Sequence, residues 1–361
     1  MSLFEIDPDI RKARTLASEF YTDSAYFEIS KEKIFARTWQ FLGTSDEFES
    51  LKPATILPGF LDEPVLLVKT DGPLACLSNV CTHRGKILVE EPCKPNLIRC
   101  SYHGRRFSLE GKFMSMPEFD GVEDFPSESD NLRQLPFAER AGFMFASIEP
   151  ADTFETFVGD AATCLEDAHP HNLRLTTRRE YEVNAHWALY CENYLEGFHI
   201  PYVHQALNAV VDYGSYTTET FRYASLQTAL SEPHASAVAE MKNPVPRLTG
   251  ALGSDTNVAA RYLFIFPNLM FNFYRWGVSV NIVRPISPTK SVVEFLSYVR
   301  DETLMDAGAG ADLHGVELED EAVVESVQRG IRSRFYSHGR YSPTREQGTH
   351  HFHRLIAEFM G

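Results

Sequence analysis

Two short segments place cysteine and histidine where they can share metal: Cys81-Thr82-His83 and, sixteen residues later, Cys100-Ser101-Tyr102-His103. Two thiolates and two imidazoles at that spacing suit either a zinc site or an iron–sulfur centre. Each segment carries one Cys and one His, so one iron of a binuclear cluster can take both thiolates and the other both imidazoles. A second set follows in the stretch from Trp187 to His204. There Asn193, Glu196 and His199 sit at helical spacing beside the apolar Trp187, Tyr190, Cys191, Tyr194 and Phe198. Polar groups in such company are costly without partners, and a metal is a partner. His199 and His204 would point about 140° apart on a continuous helix. Pro201 disfavours helical geometry at Ile200 and lets the chain turn, so both imidazoles can reach one ion. Two histidines need one carboxylate to complete the facial triad of a non-haem Fe(II) site with positions open for dioxygen. The run Glu317-Leu318-Glu319-Asp320-Glu321 offers candidates. A stripe of Asp320, Val323, Val327, Ile331 and Phe335 selects Asp320, with Glu321, Glu325, Gln328 and Arg332 on the polar side. The alternative for Asp320 is a helix cap.

These groups need elements to hold them. The chain has 361 residues, 43% apolar and 23% charged, an ordinary globular composition that suggests two domains. A helical arm over 1–44 carries Phe20, Tyr21, Tyr26, Phe27 and Phe35. Short β-type runs separated by Gly, Pro, Asp and Asn then mark a small antiparallel β domain over 45–150, with both Cys/His segments on its loops. The remainder, 151–361, reads as α+β. It offers a strand near Leu173 to Val183, a helix from about Ala185, an alternating strand from Asn272 to Ile282, and a helix near the C-terminus. Of seven aromatics from Tyr262 to Trp276 (Tyr262, Phe264, Phe266, Phe271, Phe273, Tyr274, Trp276), half are expected to face the metal, able to cage an ammonium group or stack on a flat ring. His350, His351 and His353 read as structural or surface groups. Cys76, Cys93, Cys164 and Cys191 read as small buried apolar residues. With 34 Lys plus Arg against 50 Asp plus Glu, the net charge of −16 argues against nucleic acid. No run approaches the roughly 18 apolar residues of a membrane span, and the first residues lack a secretory pattern, so a soluble cytoplasmic protein is expected.

The segments NVCTHRGKIL and IRCSYHGRRFSLEGKF resemble the Rieske family. Lys86 stands where the disulfide-braced respiratory members carry a further cysteine. Together with ENYLEGFHIPYVH and EDEAVVESVQRGI, they make nearly the whole chain similar to the Rieske non-haem iron oxygenases. That family includes aromatic-ring hydroxylase α subunits and the choline, betaine and carnitine oxygenases. The resemblance implies a Rieske domain joined to a helix-grip catalytic domain with an antiparallel sheet, assembled as a head-to-tail homotrimer. It implies a 2Fe-2S cluster on Cys81, His83, Cys100 and His103, and a mononuclear Fe(II) on His199, His204 and Asp320. It makes Glu196 a carboxylate bridging His199 and His103 of the partner subunit, with Asn193 tuning the site by hydrogen bonding. Glu at that bridge resembles the quaternary-ammonium branch, where ring dioxygenases mostly carry Asp. The chain shows no dinucleotide fingerprint of its own, so electrons from NAD(P)H are expected through a separate flavin or iron–sulfur reductase, with or without a ferredoxin. The expected activity is O2-dependent hydroxylation or demethylation of a small organic substrate, a quaternary ammonium compound or an aromatic acid. A Rieske electron carrier without oxygenase activity, or a zinc-stabilised binding module, would leave the second ligand set unexplained.

Overall fold

The computed structural model describes residues 4–168, 172–231, 258–305 and 308–361. The contacts divide the chain into two compact units, one formed by residues 36–151 and the other by 1–35 with 152–361.

The 36–151 unit is built from nine short strands: β1 (Gln40–Thr44), β2 (Leu51–Ile56), β3 (Glu63–Val68), β4 (Ala75–Ser78), β5 (Ile98–Arg99), β6 (Arg106–Phe107), β7 (Phe113–Ser115), β8 (Phe137–Arg140) and β9 (Phe143–Ala146). They form three antiparallel three-stranded sheets, in the orders β1-β9-β8, β2-β3-β4 and β5-β6-β7. Their inward residues make one core of Leu51, Leu66, Leu77, Ile98 and Phe107, and Cys81 and Cys100 belong to it. Both Cys/His loops are therefore rooted in packed structure at their cysteine ends.

The second unit carries a seven-stranded antiparallel sheet of β10 (Arg174–Val183), β11 (Val211–Thr220), β12 (Ala224–Ser231), β13 (Val258–Ile265), β14 (Leu269–Tyr274), β15 (Gly277–Ser287) and β16 (Lys290–Val299). The spatial order is β10-β16-β15-β14-β13-β12-β11. From β11 to β16 every strand pairs with its sequence neighbour. The first strand, β10, instead pairs with the last. Residues 184–210 thus carry the chain from one edge of the sheet to the other, through short helices at Trp187–Tyr194, Ile200–Val203 and Gln205–Asn208. This crossover holds Asn193, Glu196, His199 and His204. The alternation expected as one strand from Asn272 to Ile282 is instead a hairpin. β14 ends at Tyr274 and β15 starts at Gly277, paired directly with it. The turn was hidden because Arg275-Trp276 is not a usual turn pair. Gly277 is obligatory there, with φ +152°, and a Cβ at this position would stand only 2.1 Å from the Tyr298 carbonyl oxygen.

The helical elements of the N-terminal arm end at Phe35, and β1 follows at Gln40. Within the second unit the arm covers the start of the crossover. Phe35 meets Trp187 edge to face at 4.9 Å, and Tyr21 donates to Glu192 at 2.6 Å. The C-terminal helix Gln347–Met360 closes the same junction, with His353 lying 3.0 Å from Glu192. Among the described residues, no helix is long and apolar enough to cross a membrane.

Candidate metal centres and substrate pocket

The two Cys/His loops share one backbone scheme. Cys81 N–H donates to the Lys86 carbonyl and Cys100 N–H to the Arg105 carbonyl, while Gly85 and Gly104 donate back to the two cysteine carbonyls. Both glycines turn with positive φ, 72° and 78°. Their N–H groups are only part of the polarity turned inward. Burial raises the Cys81 thiol despite the backbone amides of His83 and Arg84, whereas at Cys100 burial is outweighed by the amides of Tyr102 and His103 and by Cys81, which lower it. The His83 and His103 rings stand 4.9 Å apart, and His103 Nδ1 is buried without a hydrogen-bond partner. A buried imidazole nitrogen left unpaired is what a coordinating metal would satisfy, and two thiolates beside two imidazoles fit a [2Fe-2S] cluster.

Asp130, which no motif or spacing in the sequence singles out, ties the loops together. Its carbonyl accepts from the Thr82 hydroxyl at 2.9 Å, and its carboxylate from Arg105 at 2.6 Å. Arg105 is buried, stacked 4.7 Å from the Phe113 ring centroid.

In the second unit the Trp187–Tyr194 helix ends five residues before His199, earlier than the sequence suggested. Pro201 sits in the first turn of the next helix, a position proline tolerates, so the break lies at Leu195–Phe198. Gly197 allows it, since a Cβ there would stand 2.8 Å from the Tyr216 ring. The turn brings the His199 and His204 rings to 5.0 Å.

Asp320 comes from the helix Leu313–Gly330. Asp312 caps that helix through Gly315 N–H, which removes the capping alternative for Asp320. The apolar stripe used to choose Asp320 is only partly buried, at Ile331 and to a lesser degree Val323. Val327 is 45% exposed, and Phe335 is 94% exposed and lies beyond the helix. The buried positions are Glu317, Val324 and Gln328. Hydrogen bonding explains this inversion, because Gln328 accepts from His186 N–H at 2.7 Å and Glu325 from Asn184 N–H at 2.9 Å. The helix docks through polar side chains onto the free backbone ahead of the Trp187–Tyr194 helix, where N–H groups have no intrahelical partners.

One ligand atom each from His199, His204 and Asp320 lies within 4.8 Å of the others. Asp320 Oδ1 is 3.0 Å from His204 Nε2 and 3.6 Å from His199 Nε2, and accepts from Asn193 at 2.6 Å. Each imidazole has a carboxylate on its other nitrogen: Glu196 at 2.7 Å from His199 Nδ1, and Glu319 at 2.6 Å from His204 Nδ1. Glu196 is further fixed by the N–H groups of Phe198 and His199. Burial opposes charge on His204, but the Asp320 and Glu319 carboxylates outweigh it and raise its pKa. This charge pattern suits a divalent cation held by two Nε2 atoms and one carboxylate oxygen. Glu319 was missed because five residues in a row, four of them acidic, give no sequence signal for which carboxylate meets which imidazole.

The pocket beside this triad is walled by Tyr190, Tyr194, Tyr216, Tyr262 and Tyr274. Of the seven strand aromatics, half of which were expected to face the metal, Tyr262 and Tyr274 line the pocket. Phe264 and Phe266 instead pack on Phe352 of the C-terminal helix. Burial pushes the Glu317 carboxyl up to about 8, although the Tyr190 hydroxyl donates to it, with Asp320 and Glu321 adding to the rise. The three C-terminal histidines do not converge. His350 meets the Asp7 carbonyl, His353 lies between Tyr341 and Glu192, and the His351 pKa is pushed down to about 4, chiefly by burial. Cys93, expected to be buried, is exposed, whereas Cys76, Cys164 and Cys191 are buried.

The family model described as "Ring hydroxylating alpha subunit (catalytic domain)" matches residues 170–361, and "Rieske [2Fe-2S] domain" matches residues 38–126. Choline monooxygenase, chloroplastic, of Arabidopsis thaliana is 30% identical, over 98% of this chain and 85% of that protein. The carnitine monooxygenase oxygenase subunit of Escherichia coli (strain K12) is 27% identical, over 96% and 94%. A quaternary ammonium Rieske monooxygenase solved with L-carnitine superposes with TM-score 0.77 at 26% identity, covering 98% of this chain and 97% of that one. Naphthalene 1,2-dioxygenase with indole bound, at 18% identity and TM-score 0.75 over 99% and 95%, shares the fold.

Proposed function

This chain belongs to the Rieske non-haem iron oxygenases, and from that premise we propose that it is the terminal oxygenase component acting on a small quaternary ammonium compound. It is an oxidoreductase with a Rieske [2Fe-2S] cluster and a mononuclear iron, supplied with NAD(P)H electrons by a reductase. Cys81, His83, Cys100 and His103 would hold the cluster, and His199, His204 and Asp320 the single iron. When bound, the pair supplies single electrons and dioxygen activation at iron positions that three protein ligands leave open.

The chain's own residues do the rest. Glu196 and Glu319 hold the Nδ1 protons of their imidazoles, which would leave both Nε2 lone pairs free for a metal. Asn193 donates to Asp320 and fixes the carboxylate's orientation. The observation that carries the substrate class is the wall of five tyrosines, a residue type whose ring attracts a cation. Among the described residues lining the pocket there is no Lys or Arg to receive the carboxylate of an aromatic acid. The relatives named above are choline and carnitine monooxygenases, which supports the same reading. With a competent reductase, choline-like cations are expected to drive O2 consumption and benzoate-like acids to leave it at background. The reverse ranking would overturn the proposal.

The assembly proposed with it is a homotrimer in which Glu196 connects His199 to His103 of the partner subunit. Glu196→Gln should keep both metals but abolish turnover. Retained turnover at normal iron content would refute the bridge.

A further inference from the structure

Among the described residues lining the pocket, Glu317 is the one carboxylate that takes no part in the triad or its imidazole supports. It lies three residues before Asp320 on the Leu313–Gly330 helix, so both side chains fall on the same side of it. Glu317 is 3% exposed and lines the pocket. Oε2 accepts the Tyr190 hydroxyl, whereas Oε1 is out of solvent and has no hydrogen-bond partner. A buried carboxylate with one oxygen unpaired is costly, and packing alone would be served as well by an apolar side chain. No Lys or Arg among the described lining residues balances it. Burial favours the neutral form of this carboxyl while the pocket is empty, and a cation brought into the pocket would favour the ionised form.

We propose that Glu317 is a specificity-determining residue: the counter-charge to the substrate's ammonium group, held in place by the Tyr190 hydroxyl. This rests on the quaternary-ammonium reading above and adds where the positive charge is met. A quaternary nitrogen has no N–H to donate, so its recognition is charge against charge and π face rather than a directed hydrogen bond. Because Oε1 is out of solvent, Glu317 would act through its charge across the pocket wall and not by direct contact of that oxygen.

The test compares two ligands of nearly equal shape by isothermal titration calorimetry on the iron-loaded protein. One is choline; the other is 3,3-dimethylbutan-1-ol, in which carbon replaces the charged nitrogen. The wild type is expected to prefer choline by at least about tenfold, and Glu317→Gln to bring the two ligands within about twofold, mainly by weakening choline. Tyr190→Phe keeps the charge and removes only its support, so it should retain a clear preference for choline. A structural role for the Tyr190–Glu317 pair would instead change both variants alike, in iron content and unfolding midpoint as well as binding. A Glu317→Gln protein with the wild-type preference would overturn the counter-charge while leaving the substrate class standing. A wild type that binds neither ligand, or both equally, would remove the substrate class and the counter-charge together.

Discussion

At the residue scale the two centres depend on side chains that touch no metal. Glu319 holds His204 Nδ1 at 2.6 Å, and without it the imidazole is free to rotate or change tautomer. Glu319→Ala should weaken mononuclear iron binding by roughly 10–100-fold, the usual cost of losing such a support. Chelator competition on the purified protein would measure it, and an unchanged iron affinity would show that the contact is idle. Asp130 is the counterpart beside the cluster, since its carboxylate faces a buried guanidinium. Asp130→Ala leaves Arg105 charged, buried and unpaired, and releases one of the hydrogen bonds that join the loops. A loss of about 3–5 kcal/mol is expected. It should appear first as reduced cluster absorbance and a weaker Rieske-type paramagnetic signal, before the second unit is affected.

At the element scale the crossover of residues 184–210 has to break at the right place, and Gly197 permits the break. A methyl group at Gly197 would collide with the Tyr216 ring at 2.8 Å, and Tyr216 is itself pinned by Gln227 on β12. Gly197→Ala should therefore cost about 1–3 kcal/mol and lower mononuclear iron content, while the cluster signal of the other unit stays normal. Equal loss of both signals would mean a global effect rather than a displaced turn. The same elements show what the sequence made legible. Cys81, His83, Cys100 and His103 could be picked out directly because each loop is local, with Cys and His two or three residues apart. His199 and His204 were readable as a pair, although the break was placed too late, because the effect of Gly197 depends on Tyr216, a residue distant in sequence. The Leu313–Gly330 helix was misread for a physical reason: its buried face is polar. Glu317, Gln328 and the half-buried Glu325 meet a tyrosine hydroxyl and free backbone N–H groups, partners that periodicity in the helix alone does not reveal.

At the scale of the whole molecule, two buried histidines must stay neutral, His186 where the arm meets the crossover helix and His351 on the C-terminal helix. His186 is packed among the rings of Phe20, Tyr21, Phe27 and Trp187, and its Nδ1 accepts from Ala188 N–H at the start of the crossover helix. Burial pushes its pKa down to about 3, and that of His351 down to about 4. An unfolded histidine titrates near 6.5, so below that pH the unfolded chain binds protons that the folded chain refuses. The stability these two groups contribute is thus fully present above pH 6.5 and is lost as pH falls from there toward 3. Relief of repulsion within a chain of net charge −16 works in the other direction, but it is spread over the surface, whereas the histidine penalty is concentrated at two buried groups. The unfolding midpoint of the second unit, followed by calorimetry, should therefore decline through this window. His186→Asn keeps an N-cap acceptor and removes one titrating group, so its midpoint should fall less steeply with acid even if it starts lower at neutral pH. The slope, not the level, is the measurement, and a variant with the wild-type slope would show that His186 does not drive the acid limb.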